Sequence, residues 1–577
     1  MKFSSPALLN RLVGYIESVP ASDRLILRVG FFVVIAALIY TGLAINAHYS
    51  QMTAISGGTI TEGIVGTPRF TNPALAQTRA DQDMTALIYS GLMKLGIDGN
   101  LEPDIAETIT TSEDGLTYNI QLKRDITFHD GTPVTARDVA YTIQLIQDPD
   151  LKSPLRGNWT DVTIEEISEY ELNIVLEEAY APFVENFTLG VMPAHIWSIL
   201  PTEQLPFSQL NTEPVGSGPF MVTSAKRDVS GIINHYTLSA YRGNSSEPKI
   251  DTIELAFFQN EEDLITAVEE SSIDTTAYIS PENITRLDQA KYQILAEPLP
   301  RTFGIFFNQN RSSALRDASA REALTAAINR DTLIEKALFG YGVPMVAPTT
   351  FTNTKIELID DVNTTDIQSE KETAIAILKD GGWELSTNGL WKKEINENLV
   401  PLTITLRTSN TPLYNELVAL VTDQWKDIGV EVVVEQFEQT GLVQSVIRTR
   451  DFQALLFGLD MSRSQDLYPF WHSSQKDDPG LNVAQYTNLT VDDLLETARV
   501  EQNDVNRQSI LSDAADIIEA ETPAIFLFQP DLVYLVNNEV SIKLPQRLAR
   551  PADRFANISD WHTDSQSLWP IFRPDIE

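Results

Sequence analysis

Residues 112–139 read SEDGLTYNIQLKRDITFHDGTPVTARDV. Within them Tyr118-Asn119-Ile120-Gln121-Leu122 alternates with a period of two, the pattern of a strand with one buried face. Ile126-Thr127-Phe128 continues the pattern, and Asp130-Gly131 supplies the chemistry of a hairpin or tight loop. Thr135 then opens a helix. Asp138 stands three residues on, at capping-box spacing, with Asp in place of the usual Glu. Val139, Ile143 and Ile146 share one face of that helix. Strand, turn and capped helix thus follow one another in a single run, which predicts an α/β chain.

The same alternation extends toward the C-terminus. Ile250–Phe258 reads as a strand and Leu264–Glu270 as a helix. Arg321–Leu338 reads as one amphipathic helix, with Ala323, Leu324, Ala327, Ile328, Ile334 and Leu338 on its apolar face. Leu402–Leu406 is an alternating strand, Leu413–Ile428 a helix, and Val430–Val434 the next strand. A helix of about four turns between two strands favours a parallel sheet. Phe452–Phe457 and Ile525–Phe528 add later strands. No short repeat or low-complexity block interrupts the chain.

Composition narrows the class. A chain of 577 residues holds about three or four domains, or one large fold built from lobes. Lys and Arg number 42 against 80 Asp and Glu, a net charge of −38. So acidic a surface repels phosphate backbones, and no nucleic-acid partner is expected. There is no cysteine. That removes disulfides, zinc thiolates, iron–sulfur clusters, thiol nucleophiles and any lipid-modified cysteine anchor.

Val29–Ala47, VGFFVVIAALIYTGLAINA, is nineteen residues without a charge. As a helix it spans roughly 28 Å, close to the hydrocarbon thickness of about 30 Å. Arg24 and Arg28 precede it, with Lys2 and Arg11 further out. By the positive-inside rule, 1–28 is a cytoplasmic segment, 29–47 a single transmembrane anchor, and the rest extracytoplasmic. The rival reading is a cleaved signal peptide, for which Ile45-Asn46-Ala47 is a weak cleavage site. The length of the apolar run and of the stretch before it favours the uncleaved anchor.

Catalytic patterns are missing. The six histidines, His48, His129, His195, His235, His472 and His562, show no metal-ligand spacing. The sequence holds no HExxH, GxSxG, GxxxxGK[ST] or GxGxxG. Gly216-Ser217-Gly218-Pro219 lacks the phosphate-loop lysine and reads as a turn. Adjacent carboxylates such as Glu269-Glu270 or Asp360-Asp361 are unremarkable in so acidic a chain. No enzyme and no cofactor are expected, and an exported chain of several lobes suggests capture of a ligand between them.

Several segments resemble one family, the extracytoplasmic solute-binding proteins of ABC importers in the peptide- and nickel-binding group, family 5. They are Leu87–Leu92, Ser112–Val139, Pro214–Phe220, Leu315–Arg330, Tyr468–Ser474 and Pro523–Phe526, in family order. The resemblance implies an α/β, bilobal periplasmic-binding-protein (Venus-flytrap) fold with an extra inserted lobe, here preceded by the transmembrane helix. It maps lobe I to 55–92, 212–298 and 520–545, lobe II to 93–211, lobe III to 299–519, and a C-terminal extension to 546–577. It implies a substrate-binding subunit that hands oligopeptides, or another small solute, to ABC permease subunits. A sensor or adhesion module on the same fold is the alternative. In peptide-binding relatives an aspartate after a glycine-aromatic turn in lobe III pairs with the peptide amine. Here that stretch is Gly458–Asp466, with Leu459 in place of the usual tryptophan and Ser464 in place of one aspartate. Asp460 and Asp466 are therefore the candidate ligand-binding residues. Asp460 is expected to face the chamber, because it almost directly follows a strand. Asp466 is expected to cap the next element. The arginines and tryptophans after Gln546 read as packing on a lobe, or alternatively as a permease contact.

Overall fold

The computed structural model describes residues 20–49, 51–243, 247–349, 367–563 and 565–568. Twelve strands form one mixed sheet. They are β1 (Thr59–Val65), β2 (Phe220–Arg227), β3 (Ile233–Ala240), β4 (Thr252–Phe258), β5 (Thr275–Thr276) and β6 (Tyr292–Pro298). Then follow β7 (Arg301–Phe307), β8 (Gly342–Pro344), β9 (Thr403–Ser409), β10 (Glu431–Phe437), β11 (Ala454–Asp460) and β12 (Ala524–Asn537). Across the sheet the order is β10-β9-β11-β7-β12-β5-β1-β4-β3-β2, and β6 and β8 also pair with β12.

β12 joins two halves. Its fourteen residues, AIFLFQPDLVYLVN, are buried except at Pro530, Asp531 and Asn537. A strand covered on both faces reads as a continuous apolar run. Its first part pairs antiparallel with β7 and β8, and its second part with β5 and β6. β6 passes into β7 through Leu299-Pro300 alongside, and the Leu299 amide donates to the Pro530 carbonyl at 2.9 Å. The chain therefore crosses between the β1 half and the β7 half at two adjacent places.

The expected β–α–β unit forms, with Pro412–Asp427 as its helix and β9 parallel to β10 and β11. β1 is parallel to β4 and β5. The other pairs are antiparallel, so the expectation of a parallel sheet holds only locally. Strands that turn back on one another, and the crossing along β12, give the rest its antiparallel pairing. The single helix expected over 321–338 is two, Ala318–Ala326 and Arg330–Ala337. Asn329 breaks it: its backbone is extended, and its side chain accepts from the Thr332 amide at 2.7 Å as an N-cap.

A separate antiparallel sheet is built from Ala106–Thr111, Thr117–Leu122, Val162–Ser168 and Glu171–Leu176. Thr117–Leu122 buries alternate residues, and the helix Ala136–Gln147 begins with Asp138 accepting from the Thr135 amide at 2.9 Å. The 214–220 turn locks this part onto the β1 half. The Gly218 amide donates to the Ile88 carbonyl at 2.8 Å, and a Cβ at Gly216 would lie 2.0 Å from that oxygen. His129 sits between Gly216 and Gly218, accepting from the first amide at 3.3 Å and bonding the second carbonyl at 3.0 Å. Burial pushes its imidazole down to about 4.

Ala21–Tyr49 is one helix of 29 residues with exposed apolar side chains, among them Phe31, Phe32, Leu38 and Leu43. Its described side chains form one uncharged run from Val29 to Ala44. Among the described residues no helix is long and apolar enough to cross a membrane. One residue beyond the helix, Gln51–Ala54 pairs antiparallel with Ser565–Leu568. Lys2, Arg11 and Trp569 lie outside the described residues.

Candidate functional site

β11 runs antiparallel to β7, and its last residue, Asp460, stands opposite the first residue of β7, Arg301, at the crossing between the halves. The two side chains pair at 2.5 Å yet stay open to solvent, 47% exposed for Arg301 and 72% for Asp460. An aromatic floor positions the strand end. The Gly458 amide donates to the Tyr414 hydroxyl at 3.0 Å, Tyr414 packs on Phe303 at 5.7 Å, and Phe303 stacks on Phe528 at 5.0 Å. Burial pushes the Tyr414 phenol up. Arg301 and Asp460 thus offer a cationic and an anionic group side by side at the strand ends, on a rigid base.

The loop after Asp460 ties three parts of the molecule together. The Met461 amide donates to the Pro300 carbonyl at 2.6 Å. Arg463 pairs with Asp553 at 2.7 Å and donates to the Arg547 carbonyl at 3.1 Å. The Ser464 amide donates to Glu185, whose carboxyl is pushed up by burial and partly restored by the Arg463 charge. Asp466 is buried. It accepts from Arg499 at 2.7 and 3.0 Å, from the Tyr180 hydroxyl at 3.2 Å and from the Tyr468 amide at 3.0 Å. The Arg499 guanidinium lies 3.9 Å over Tyr468 and 5.1 Å from the Tyr180 ring. The two candidate aspartates therefore differ. Asp460 is reachable. Asp466 is occupied by partners inside the protein, one of them the amide that starts the helix Tyr468–Trp471.

Next to Asp553, Arg554 is fully buried. Its guanidinium pairs with Glu62 at 2.8 Å and Asp83 at 2.7 Å. Tyr534 donates to Glu62 and Tyr278 to Asp83, each at 2.8 Å, and Arg79 lies 4.2 Å over the Tyr278 ring. Trp561 is also buried. The described part of the segment after Gln546 is thus packed on the β1 half, where Arg554 pairs the buried acids Glu62 and Asp83. Arg301, Arg499 and Tyr180 escaped the sequence reading. They stand 159, 33 and 286 residues from the aspartates they bind, and no local pattern marks them. Among the described residues no group of three or more His, Asp or Glu has a metal-binding arrangement.

The family model described as bacterial extracellular solute-binding proteins, family 5 middle, matches residues 100–479. The oligopeptide-binding protein AppA of Bacillus subtilis (strain 168) is 25% identical over 522 residues, covering 88% of this chain and 91% of its own. The nickel-binding periplasmic protein of Escherichia coli (strain K12) is 26% identical over 374 residues, covering 62% of this chain and 67% of its own. The structure of Bacillus subtilis AppA in complex with a nonapeptide superposes with a TM-score of 0.64 at 23% identity, over 89% of this chain and 100% of that one. The ABC transporter substrate-binding protein CtaP of Listeria monocytogenes superposes with a TM-score of 0.70 at 23% identity, over 88% and 99%. The fold is the mixed α/β bilobal fold of periplasmic binding proteins.

Proposed function

The chain belongs to the bacterial extracellular solute-binding proteins of family 5, and from that premise we propose that its ligand is an oligopeptide, held in the cleft between the β1 half and the β7 half. The protein serves as the extracytoplasmic substrate-binding subunit of an ABC importer. The observation that carries the peptide reading is the Arg301–Asp460 pair, exposed at the crossing and backed by Tyr414 and Phe303. A peptide amine is a natural partner for such a carboxylate, and its backbone amides and carbonyls suit a sequence-tolerant cleft. When the amine takes Asp460, Arg301 is released toward an anionic group of the ligand.

In this reading lobe I is 55–92, 212–298 and 520–545, lobe II is 93–211 and lobe III is 299–519. Ala524–Pro530, which pairs with β7 and β8, is then shared between lobes I and III. The helix Ala21–Tyr49 is the membrane anchor, with its N-terminal side cytoplasmic. The nineteen uncharged residues of the sequence from Val29 to Ala47 support this, as do Arg24 and Arg28 ahead of them. ABC permease subunits are the partners.

The test is thermal unfolding of the full chain in the presence of a peptide library, since a ligand that binds only the native form raises the midpoint. Peptides with a free amine should raise it. Asp460→Asn should weaken their binding by about one to two decades, the equivalent of a lost charge-assisted hydrogen bond, and should spare N-acetylated peptides. A shift with nickel chelates or sugars and none with any peptide would remove the peptide assignment. Equal loss for both peptide forms would remove Asp460 from the site.

A further inference from the structure

A cavity of about 140 Å³ lies where the segment after Gln546 meets the β1 half, the start of the inserted region and the loop after Asp460. Four cations line it, Lys94, Lys123, Arg463 and Arg550, against two carboxylates, Asp104 and Asp553. On a chain of net charge −38 this is a local reversal of sign. Asp553 is already shared, with Arg463 at 2.7 Å and Arg550 at 3.2 Å. Lys94 reaches Glu102 at 3.4 Å. Lys123 has no ion pair or side-chain hydrogen bond among the described residues, and its charge acts on Asp104. Burial pushes the Asp104 carboxyl up, against the opposing pull of the Lys94 and Lys123 charges. Tyr89 completes the lining. It is 5% exposed, and its buried hydroxyl has no hydrogen-bond partner.

We propose that this cavity is a second binding site, separate from the cleft at Asp460, for a small oxyanion: inorganic phosphate or a short carboxylate. The size fits. An engineered cavity of roughly 150 Å³ holds benzene, with six heavy atoms, and phosphate has five. The chemistry fits as well, because Lys123 supplies a charge that no ion pair among the described residues uses. Lys94 and Arg550 are partly exposed. The lining brings Arg463 of the 461–466 loop together with Arg550 and Asp553 of the C-terminal segment, so a bound anion fastens that loop to that segment.

The experiment is isothermal titration and thermal unfolding of the full chain with sodium phosphate and with sodium acetate, against sodium chloride at equal ionic strength. One or both oxyanions should bind and raise the midpoint above chloride, and the arm that does so names the source. Lys123→Gln should bind about tenfold to a hundredfold more weakly, and Lys123→Arg should restore binding. Lys94→Gln, a second variant on the same cavity, should weaken binding too. The proposal fails if neither salt acts beyond chloride, or if wild type, Lys123→Gln and Lys94→Gln bind alike.

Discussion

Asp531 lies on β12 where the chain crosses between halves, opposite Pro298. Its Oδ1 is buried without a hydrogen-bond partner, and burial pushes the carboxyl up to about 6. An unfolded aspartate titrates near 3.9, so the native state takes up this proton first. The associated stability is therefore fully present below about pH 4 and is lost as pH rises through about 6. Asp531→Asn keeps the shape without the charge. It should raise the thermal midpoint at pH 7.5 and leave it unchanged near pH 4; a variant no more stable at pH 7.5 would show that the charge there is already compensated. His129 titrates with the opposite sign. Its imidazole is held neutral between two glycines, so its contribution is present above about 6.5 and fades as pH falls toward about 4. The two groups differ in how legible they were. His129 stands in the strand-turn-helix stretch that pointed to the fold. Asp531 lies beyond Ile525–Phe528, the strand read there from the sequence, yet the strand runs on to Asn537.

At the scale of elements, the C-terminal segment acts as a strap. Arg554 fastens it into the β1 half through Glu62 and Asp83, while Asp553 reaches Arg463 on the loop after Asp460. Removing one partner of a buried ion pair leaves uncompensated charge, a cost of about 3–5 kcal/mol. Arg554→Met should lose about that much in chemical denaturation, with Glu62 and Asp83 left facing each other across the gap. A loss under about 1 kcal/mol, the range of an exposed pair, would mean that water replaces the guanidinium. Sequence could not show this. A buried arginine is written like a surface one, and its acids lie 492 and 471 residues earlier. Where elements were legible, one face was buried: Thr117–Leu122 alternates in burial as its residues alternate in polarity. β12 was visible only as Ile525–Phe528 because both of its faces are covered and no alternation exists to read. The helix over 321–338 was drawn too long because the apolar spacing continues across Asn329, while the side-chain cap that stops it is a local competition between hydrogen bonds. Asp460 lies at the end of β11 itself, past the point where the sequence reading ended that strand, and Arg301, which pairs with it, carries no local mark.

For the whole molecule the dominant fact is a net charge of −38 over two halves joined at two adjacent crossings. Like charge spread over a compact body opposes its compactness, and salt screens that opposition. The Debye length falls from about 30 Å at 0.01 M to about 8 Å at 0.15 M. The unfolding midpoint should therefore rise with sodium chloride over this range, followed by differential scanning calorimetry on the full chain. A fall would mean that the ion pairs at Arg301, Arg463 and Arg499 outweigh the overall repulsion. The ribbon between Gln51–Ala54 and Ser565–Leu568 adds a consequence of another kind. It begins one residue after the N-terminal helix and brings the far end of the chain back to the same spot. If that helix is the membrane anchor proposed above, the body would be moored at a single point and confined to a thin layer above the membrane. Confinement of this sort sets an effective concentration, about millimolar for short tethers. A permease in the same membrane then meets its binding protein as a neighbour rather than by search, and a docking affinity too weak to register between free molecules is enough for delivery.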